Sequence, residues 1–136
     1  MFEVDSRIAS SSILIQEDRL SNVYLKNTQA FPWLVLVPRI ENVQEIFELS
    51  SAQQQLLMQE ISDWSRCLKE LFQPKKLNIG ALGNIVSQLH LHIVARFEHD
   101  SLWPHSIWQA GLETIAYPPE RLQSILEAFS SFKNQR

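Results

Sequence analysis

One stretch decides the fold and the chemistry of this chain: Gln88-Leu89-His90-Leu91-His92-Ile93-Val94-Ala95-Arg96. Its first residues alternate between polar and apolar types, which predicts a half-buried β-strand over residues 88–96. Successive side chains of a strand point to opposite faces, so the polar members share one face and the leucines and Ile93 share the other. We expect the apolar face to pack on a helix and the polar face to carry the chemistry.

Four further strands are predicted upstream of this stretch. Residues 12–17 form a short β-prone run, residues 22–28 alternate between apolar and polar types, and residues 33–37 are an almost continuous apolar run. The four-residue break between the last two runs predicts an antiparallel hairpin. Residues 76–82 read as a fourth strand, leading into a turn that holds two of the three glycines of the chain.

Two helices complete the predicted fold. Ser50 and Gln53 have the spacing of a capping box, which predicts a helix start there, and Pro74 ends that helix. A second helix opens at Pro118-Pro119-Glu120. Apolar side chains recur every three or four residues along both helices: Leu57, Ile61, Trp64, Leu68 and Leu71 in the first, and Leu122, Ile125, Phe129 and Phe132 in the second. We therefore predict an α+β fold, with about five antiparallel strands packed by a long central helix and a C-terminal helix, in a single domain over residues 1–136.

Composition and charge exclude several classes of protein. The formal net charge of −3 argues against a protein that coats nucleic acid, because such proteins neutralise phosphates with clustered Lys and Arg. No apolar stretch approaches the roughly 20 residues of a membrane span. Cys67 is the only cysteine, and acidic residues near Met1 do not resemble a signal peptide. We expect a cytoplasmic protein without nucleic-acid or membrane partners.

His90 and His92 are the strongest chemical candidates. Residues two apart on one strand face lie about 6–7 Å apart, which allows both imidazoles to contact one group the size of a phosphate. An imidazole serves as a neutral nucleophile or as a charged donor near neutral pH. A histidine nucleophile forms a covalent intermediate and divides one difficult displacement into two easier steps.

The residues of this strand alone leave three interpretations open. The histidine pair fits a solvated surface, one half of a zinc site, or phosphate chemistry, since imidazole is also the commonest metal ligand. A zinc site requires further ligands, for which Glu98, His99, Asp100 and His105 in the following loop are candidates.

The segment Asn78-Ile79-Gly80-Ala81-Leu82-Gly83-Asn84-Ile85-Val86-Ser87-Gln88-Leu89-His90-Leu91-His92-Ile93-Val94 resembles the signature region of the histidine-triad (HIT) superfamily. That signature has an Asn and a glycine-containing turn, followed by His-φ-His-φ-His-φ-φ, where φ is apolar. The upstream hairpin, which ends at Pro38-Arg39, is similar to the first half of the family's domain. The resemblance runs from about residue 12 to residue 96 and favours phosphate chemistry over a zinc site.

The resemblance implies catalytic roles for three residues. In the family the middle histidine attacks the α-phosphate of a nucleotide, and His90 matches it. The third histidine matches His92, which is expected to bond a phosphate oxygen or the bridging atom. Gln88 stands in place of the first histidine; its amide can donate a hydrogen bond but cannot carry or relay a proton.

The resemblance also implies a set of nucleotide-binding residues. Asn84 and Asn78 match polar phosphate-contacting positions, and Asn27 matches a ribose-contacting position. Backbone N–H groups of the turn at Gly83 point to the same phosphate oxygens. Arg96 shares the predicted catalytic face and is a candidate for bidentate phosphate binding, or else for a peripheral ion pair.

The implied activity is hydrolysis or transfer of a nucleotidyl group from a dinucleoside polyphosphate, a nucleoside phosphoramidate or a nucleotide sugar. No metal and no cofactor is required, and the resemblance implies a homodimer. Trp103 and Trp108 fit pocket, dimer-contact or core roles equally well. Two alternatives are a nucleotide-binding regulator that has lost turnover, which Gln88 suggests, and a zinc protein using His90 and His92.

Overall fold

The sheet is continuous and fully antiparallel. The computed structural model describes residues 1–108 and 114–134. Its five strands pair in the order β1-β2-β3-β5-β4. They are β1 (Ser12–Glu17), β2 (Ser21–Lys26), β3 (Trp33–Pro38), β4 (Lys76–Gly80) and β5 (Leu91–Arg96). β2 and β3 form the predicted antiparallel hairpin.

The helices are α1 (Ser6–Ala9), α2 (Ser51–Phe72) and α3 (Pro119–Asn134), with a 3₁₀ turn over Ile46–Glu48. α2 begins where the capping box predicts, since the Ser50 hydroxyl accepts from the Gln53 N–H and the Gln53 side chain accepts from the Ser50 N–H. It ends at a left-handed residue, Gln73, just before Pro74. The predicted α+β class is therefore confirmed, with five antiparallel strands packed by helices.

The two faces of the sheet bury different cores. On one face, the apolar side of β5 packs against the predicted stripe of α2 and against α3; this core includes Leu89, Leu91, Ile93, Leu57, Ile61, Trp64, Leu68, Ile125 and Phe129. On the other face, the N-terminal residues and the segment before residue 109 cover a smaller core; it includes Ile8, Tyr24, Phe31, Trp33, Val35, Val37, Val94 and Ile107. The histidine side of β5 therefore faces this second layer rather than open solvent.

Three predicted strands are too long. β2 ends at Lys26 rather than at residue 28. β4 ends at Gly80 rather than at residue 82, and β5 begins at Leu91 rather than at Gln88. At the start of β5, the first paired residues are Leu91, opposite Leu36 of β3, and His92, opposite Gly80 of β4. The chain between residues 81 and 90 has no strand partner, and it turns at Gly83, whose φ of +75° belongs to the left-handed region that favours glycine.

As a consequence, Gln88 and His90 lie in the segment that enters β5 and not within the ladder. The Leu89 N–H bonds the Val43 carbonyl at 2.9 Å instead of a neighbouring strand. Among the described residues, no helix combines the length and the apolar character needed to cross a membrane.

The cap of α2 provides a test of this account of the fold. Ser50→Ala removes the hydroxyl that accepts from the Gln53 N–H, so we expect the free energy of unfolding to fall by about 1 kcal/mol. Urea unfolding at neutral pH measures it. The matched control is Ser131→Ala, an exposed serine within α3, which has no cap to lose. Equal stability of both variants would contradict the capping role.

Candidate active site

His90 is oriented by the backbone two residues before it. Its Nδ1 lies 2.7 Å from the Gln88 carbonyl oxygen. A carbonyl oxygen only accepts, so Nδ1 of His90 carries the proton and donates this bond. In the neutral ring the lone pair is then on Nε2, which is the nitrogen that a nucleophilic histidine needs.

His92 has the opposite arrangement. The indole N–H of Trp33, which only donates, points at Nδ1 of His92 at 3.0 Å. Nδ1 of His92 therefore holds a lone pair, and its Nε2 carries the proton. Burial, together with the nearby charges of His90 and Lys26, lowers the pKa of His92 to about 3. The ring is consequently a neutral donor at physiological pH.

The two rings form one compact unit. Their centroids are 5.0 Å apart and the planes are nearly perpendicular, at 76°. Only about a tenth of either histidine is exposed, 9% for His90 and 8% for His92. A ring that carries its proton on Nδ1 and a ring that carries its proton on Nε2 thus lie side by side in a largely buried site.

Two tryptophans flank His92, and sequence reasoning assigned neither to it. The Trp33 ring centroid lies 5.6 Å from that of His92, and Trp108 lies 5.7 Å away. Trp108 also covers Gly80, where an added Cβ would come within 3.3 Å of the indole. Strand alternation places Trp33 on the same sheet face as His92, and this pattern could have predicted their contact. Trp108 lies in a loop after β5, and no sequence pattern predicts its contact with His92.

The side chain of Gln88 has partners other than the expected phosphate. Its Oε1 accepts from the Asp5 N–H at 2.8 Å, and its Nε2 donates to the Glu3 carbonyl at 2.8 Å. The structure therefore directs this amide to the N-terminal segment, because the entry to β5 runs beside residues 3–5. The backbone carbonyl of Gln88, rather than its side chain, contacts the histidine pair.

Arg96 is bonded both to Asn78 and to Asp100. The Arg96 guanidinium donates to the Asp100 carboxylate at 2.9 and 3.0 Å and to Oδ1 of Asn78 at 2.9 Å, and Arg96 is almost fully buried. Although burial acts to raise it, the pKa of Asp100 falls to about 2, because Arg96 and backbone N–H groups bond the carboxylate. Arg96 therefore forms an ion pair, as its alternative interpretation predicts, but the pair is buried and not peripheral.

The remaining predicted binding residues lie on two separate segments. Asn27 lies in a cleft with Lys26 and neighbouring hydroxyl side chains, and its Oδ1 accepts from the Tyr117 N–H at 3.1 Å. Gly83 and Asn84 lie in the turn before the histidines, and Asn84 is exposed. The structure thus brings His90 and His92 together and leaves the nucleotide-binding roles of the other residues as predictions.

The described residues do not form a metal centre. Among them, no group of three or more His, Cys, Asp or Glu side chains is arranged to hold a metal ion. His99 and His105 are exposed in the loop after β5, and the Asp100 carboxylate is committed to Arg96. In both histidines of the pair, Nδ1 is already bonded to a protein partner.

Fold and site together define a class of protein: an α+β domain whose five-stranded antiparallel sheet presents a pair of buried, oppositely protonated histidines at the start of one strand. A model of the HIT domain matches residues 7–99. The chain belongs to the HIT domain family, and that membership indicates a nucleotide-related hydrolase or binding function.

Solved structures agree with this assignment. A histidine triad protein from Bradyrhizobium japonicum is 40% identical, with 96% of each chain covered and a TM-score of 0.92. A histidine triad protein from Marinobacter aquaeolei VT8 is 38% identical, with 99% of this chain and 98% of that chain covered and a TM-score of 0.93. A hypothetical histidine triad nucleotide-binding protein from Sulfolobus tokodaii strain7 shares the fold at 14% identity, with 95% and 89% covered and a TM-score of 0.67. None of the curated proteins matches the chain.

The lowered pKa of His92 has a consequence for stability. Between about pH 3 and pH 6.5 the unfolded chain binds a proton at this position and the folded protein does not, so acid destabilises the fold. We expect the free energy of unfolding to fall more steeply below pH 6 in the wild type than in His92→Gln, by up to about 1.4 kcal/mol per pH unit. Urea unfolding at pH 7, 6, 5 and 4 measures both slopes.

The control for this comparison is His105→Gln, which removes an exposed histidine of the same chain. Its slope is expected to match that of the wild type. If His92→Gln and the wild type lose stability in parallel, His92 takes up its proton in the folded protein as easily as in the unfolded chain.

Proposed function

We propose that this protein is a nucleotidyl hydrolase or transferase that acts on the α-phosphate of a nucleoside 5′-phosphate derivative through a covalent nucleotidyl-His90 intermediate. One observation carries the proposal: opposite backbone and indole partners fix His90 with a free Nε2 lone pair and His92 with an Nε2 proton, 5.0 Å apart between ring centroids.

In the first step, Nε2 of His90 attacks the α-phosphorus, and the bond from phosphorus to the leaving group breaks, with its electron pair going to the leaving group. The ring becomes cationic as the N–P bond forms. Its Nδ1–H remains bonded to the Gln88 carbonyl, which stabilises that charge. In the second step, water or an acceptor hydroxyl attacks the phosphorus, the N–P bond breaks with its electron pair returning to Nε2 of His90, and the proton of the attacking group passes to solvent water.

His92 donates its Nε2 proton in a hydrogen bond to a phosphoryl oxygen or to the bridging atom. A preorganised donor of this kind stabilises the charge that is held in the transition state. Since the pKa of His92 is about 3, the residue acts as a neutral donor and not as an imidazolium acid.

Gln88 stands, in this proposal, where the family has its first histidine. An amide has no proton to transfer, so the leaving group departs without a proton from this position. That favours leaving groups that are stable as anions, such as the polyphosphate of a dinucleoside polyphosphate, over an amine from a phosphoramidate. Asn27, Gly83 and Asn84 remain the proposed nucleotide contacts.

A nucleotide-binding regulator is the second candidate, because the Gln88 amide is occupied by the N-terminal segment and supplies no acid. We further propose a cytoplasmic homodimer. The support for a dimer is β4, which forms one edge of the described sheet and exposes Ile79.

The covalent intermediate is directly testable. Intact-protein mass spectrometry after brief mixing with diadenosine tetraphosphate, and separately with an adenosine phosphoramidate, should show a nucleotidyl adduct or released AMP with the wild type and neither with His90→Ala. Removing a covalent nucleophile that no other residue replaces is expected to lower the rate by a factor of about 10³ or more.

His105→Ala is the matched control, because it removes an exposed histidine while leaving the pair intact; it should form adduct as the wild type does. Nucleotide binding by calorimetry without adduct or product in the wild type favours the regulator. Turnover that survives in His90→Ala rules out the covalent mechanism.

Trp33 provides a second test of the site. Trp33→Phe keeps an aromatic ring beside His92 but removes the indole N–H that selects its tautomer. Losing one hydrogen bond worth about 1 kcal/mol should lower kcat roughly fivefold. Steady-state kinetics on the preferred substrate measures this change. Trp103→Phe, a tryptophan stacked near Arg96 instead, is the control and should leave kcat unchanged; equal kcat in both variants contradicts the role of Trp33.

A further inference from the structure

The N-terminal segment, residues 3–7, is bonded to the loop that carries the histidine pair. Gln88 uses both polar groups of its amide on this segment, since Oε1 accepts from the Asp5 N–H and Nε2 donates to the Glu3 carbonyl, each at 2.8 Å. These bonds join residues more than 80 positions apart in the chain. An amide whose donor and acceptor are both used in this way is held in one orientation.

A second attachment lies three residues earlier in the same loop. The Arg7 guanidinium donates from Nη1 to the Ile85 carbonyl at 3.2 Å. Asp5 orients that guanidinium by accepting from its Nε at 3.0 Å and its Nη2 at 2.8 Å. The hydrogen bonds from Arg7 hold the pKa of Asp5 near 2, so the carboxylate remains ionised at neutral pH.

Residue 88 therefore links the N-terminal segment to the nucleophile. Its side chain is bonded to residues 3 and 5, while its carbonyl accepts from Nδ1 of His90 at 2.7 Å. Residues 81–90 have no strand partner, and the neighbouring backbone bond runs from Leu89 to Val43. The position of the Gln88 carbonyl thus depends on a small number of contacts, and the amide supplies two of them.

We infer that Gln88 is a positioning residue: by bonding the N-terminal segment, its amide fixes the carbonyl that holds His90 in the tautomer with a free Nε2. The residue acts through His90 and does not contact the substrate. The catalytic consequence rests on the proposed function, whereas the effect on the tautomer does not.

The tautomer of His90 is measured without any substrate. Long-range ¹H–¹⁵N correlation spectra distinguish an Nδ1–H ring from an Nε2–H ring. The wild type should show His90 in the Nδ1–H form. In Gln88→Leu, which has a similar size and no amide, the ratio of the Nε2–H form to the Nδ1–H form should rise about fivefold, the factor that one ordinary hydrogen bond contributes.

Arg7→Gln releases the second attachment by changing an exposed side chain, so it tests the same link if Gln88→Leu does not fold. It should shift the His90 tautomer in the same direction by a smaller factor. Gln123→Leu, a glutamine exposed on α3, is the matched control and should leave the spectrum of His90 unchanged. The Nδ1–H form persisting undiminished in folded Gln88→Leu or, where that variant does not fold, in folded Arg7→Gln overturns the inference.

Kinetics separates positioning from direct contact with the substrate. Gln88→Leu should lower kcat in proportion to the loss of the Nδ1–H form, by at most about twofold when that form predominates in the wild type, with KM unchanged, because the amide acts on the nucleophile and not on the nucleotide. Gln88→Glu keeps the acceptor for the Asp5 N–H and loses the donor to the Glu3 carbonyl, so its kcat should lie between that of the wild type and that of Gln88→Leu. A rise in KM with kcat unchanged, or a faster Gln88→His, shows that position 88 acts on the substrate and overturns the inference. If the wild type forms no adduct at all, the proposed function fails while the tautomer measurement still stands.

Discussion

Two imidazoles lie side by side in a largely buried site, and burial makes an unpaired ring nitrogen or a pair of like charges unfavourable. The structure holds the two rings as opposite tautomers. His90 donates from Nδ1 to a backbone carbonyl, and His92 accepts at Nδ1 from the Trp33 indole. These two hydrogen bonds decide which Nε2 holds a lone pair and which holds a proton, and the chemistry proposed for the site depends on them.

The sheet makes this arrangement possible because β5 is buried on both faces. The face of β5 that carries Leu91 and Ile93 packs against α2. The other face places His92 opposite Val35 and diagonal to Trp33. That placement brings the Trp33 indole N–H within hydrogen-bond distance of His92, although no local sequence motif links the two residues. The low pKa of His92, about 3, follows from the same burial. Packing of the second layer is therefore also what keeps the donor neutral.

Much of this architecture could be predicted from the sequence, because it depends on periodicity. Alternation along residues 88–96 places His90 and His92 together, the stripe on α2 identifies the core face, and Ser50 marks the helix start. The strand ends were wrong because ladder pairing, and not side-chain alternation, decides where a strand begins. Opposite residues 88–90 the partner strand β3 comes to its end at Pro38, and proline has no N–H to donate. The chain therefore enters β5 as an extended segment held by other contacts.

Contacts between distant segments were beyond sequence reasoning. The partners of Gln88 lie 83 and 85 residues away, and no spacing rule connects them. The same holds for Asn78, whose match to a phosphate-contacting position gave no hint of its bond to Arg96.

In the proposed mechanism, the glutamine at position 88 has a structural role and no acid–base role. A histidine there can carry a proton, whereas an amide can satisfy one backbone donor and one backbone acceptor at once. The N-terminal segment presents such a pair, the Asp5 N–H and the Glu3 carbonyl. The amide is therefore matched to the segment that covers it. Because the carbonyl of the same residue orients His90, the proposed mechanism depends on Gln88 both for the orientation of the proposed nucleophile and for the lack of an acid at position 88, and it fits substrates whose leaving groups depart as stable anions.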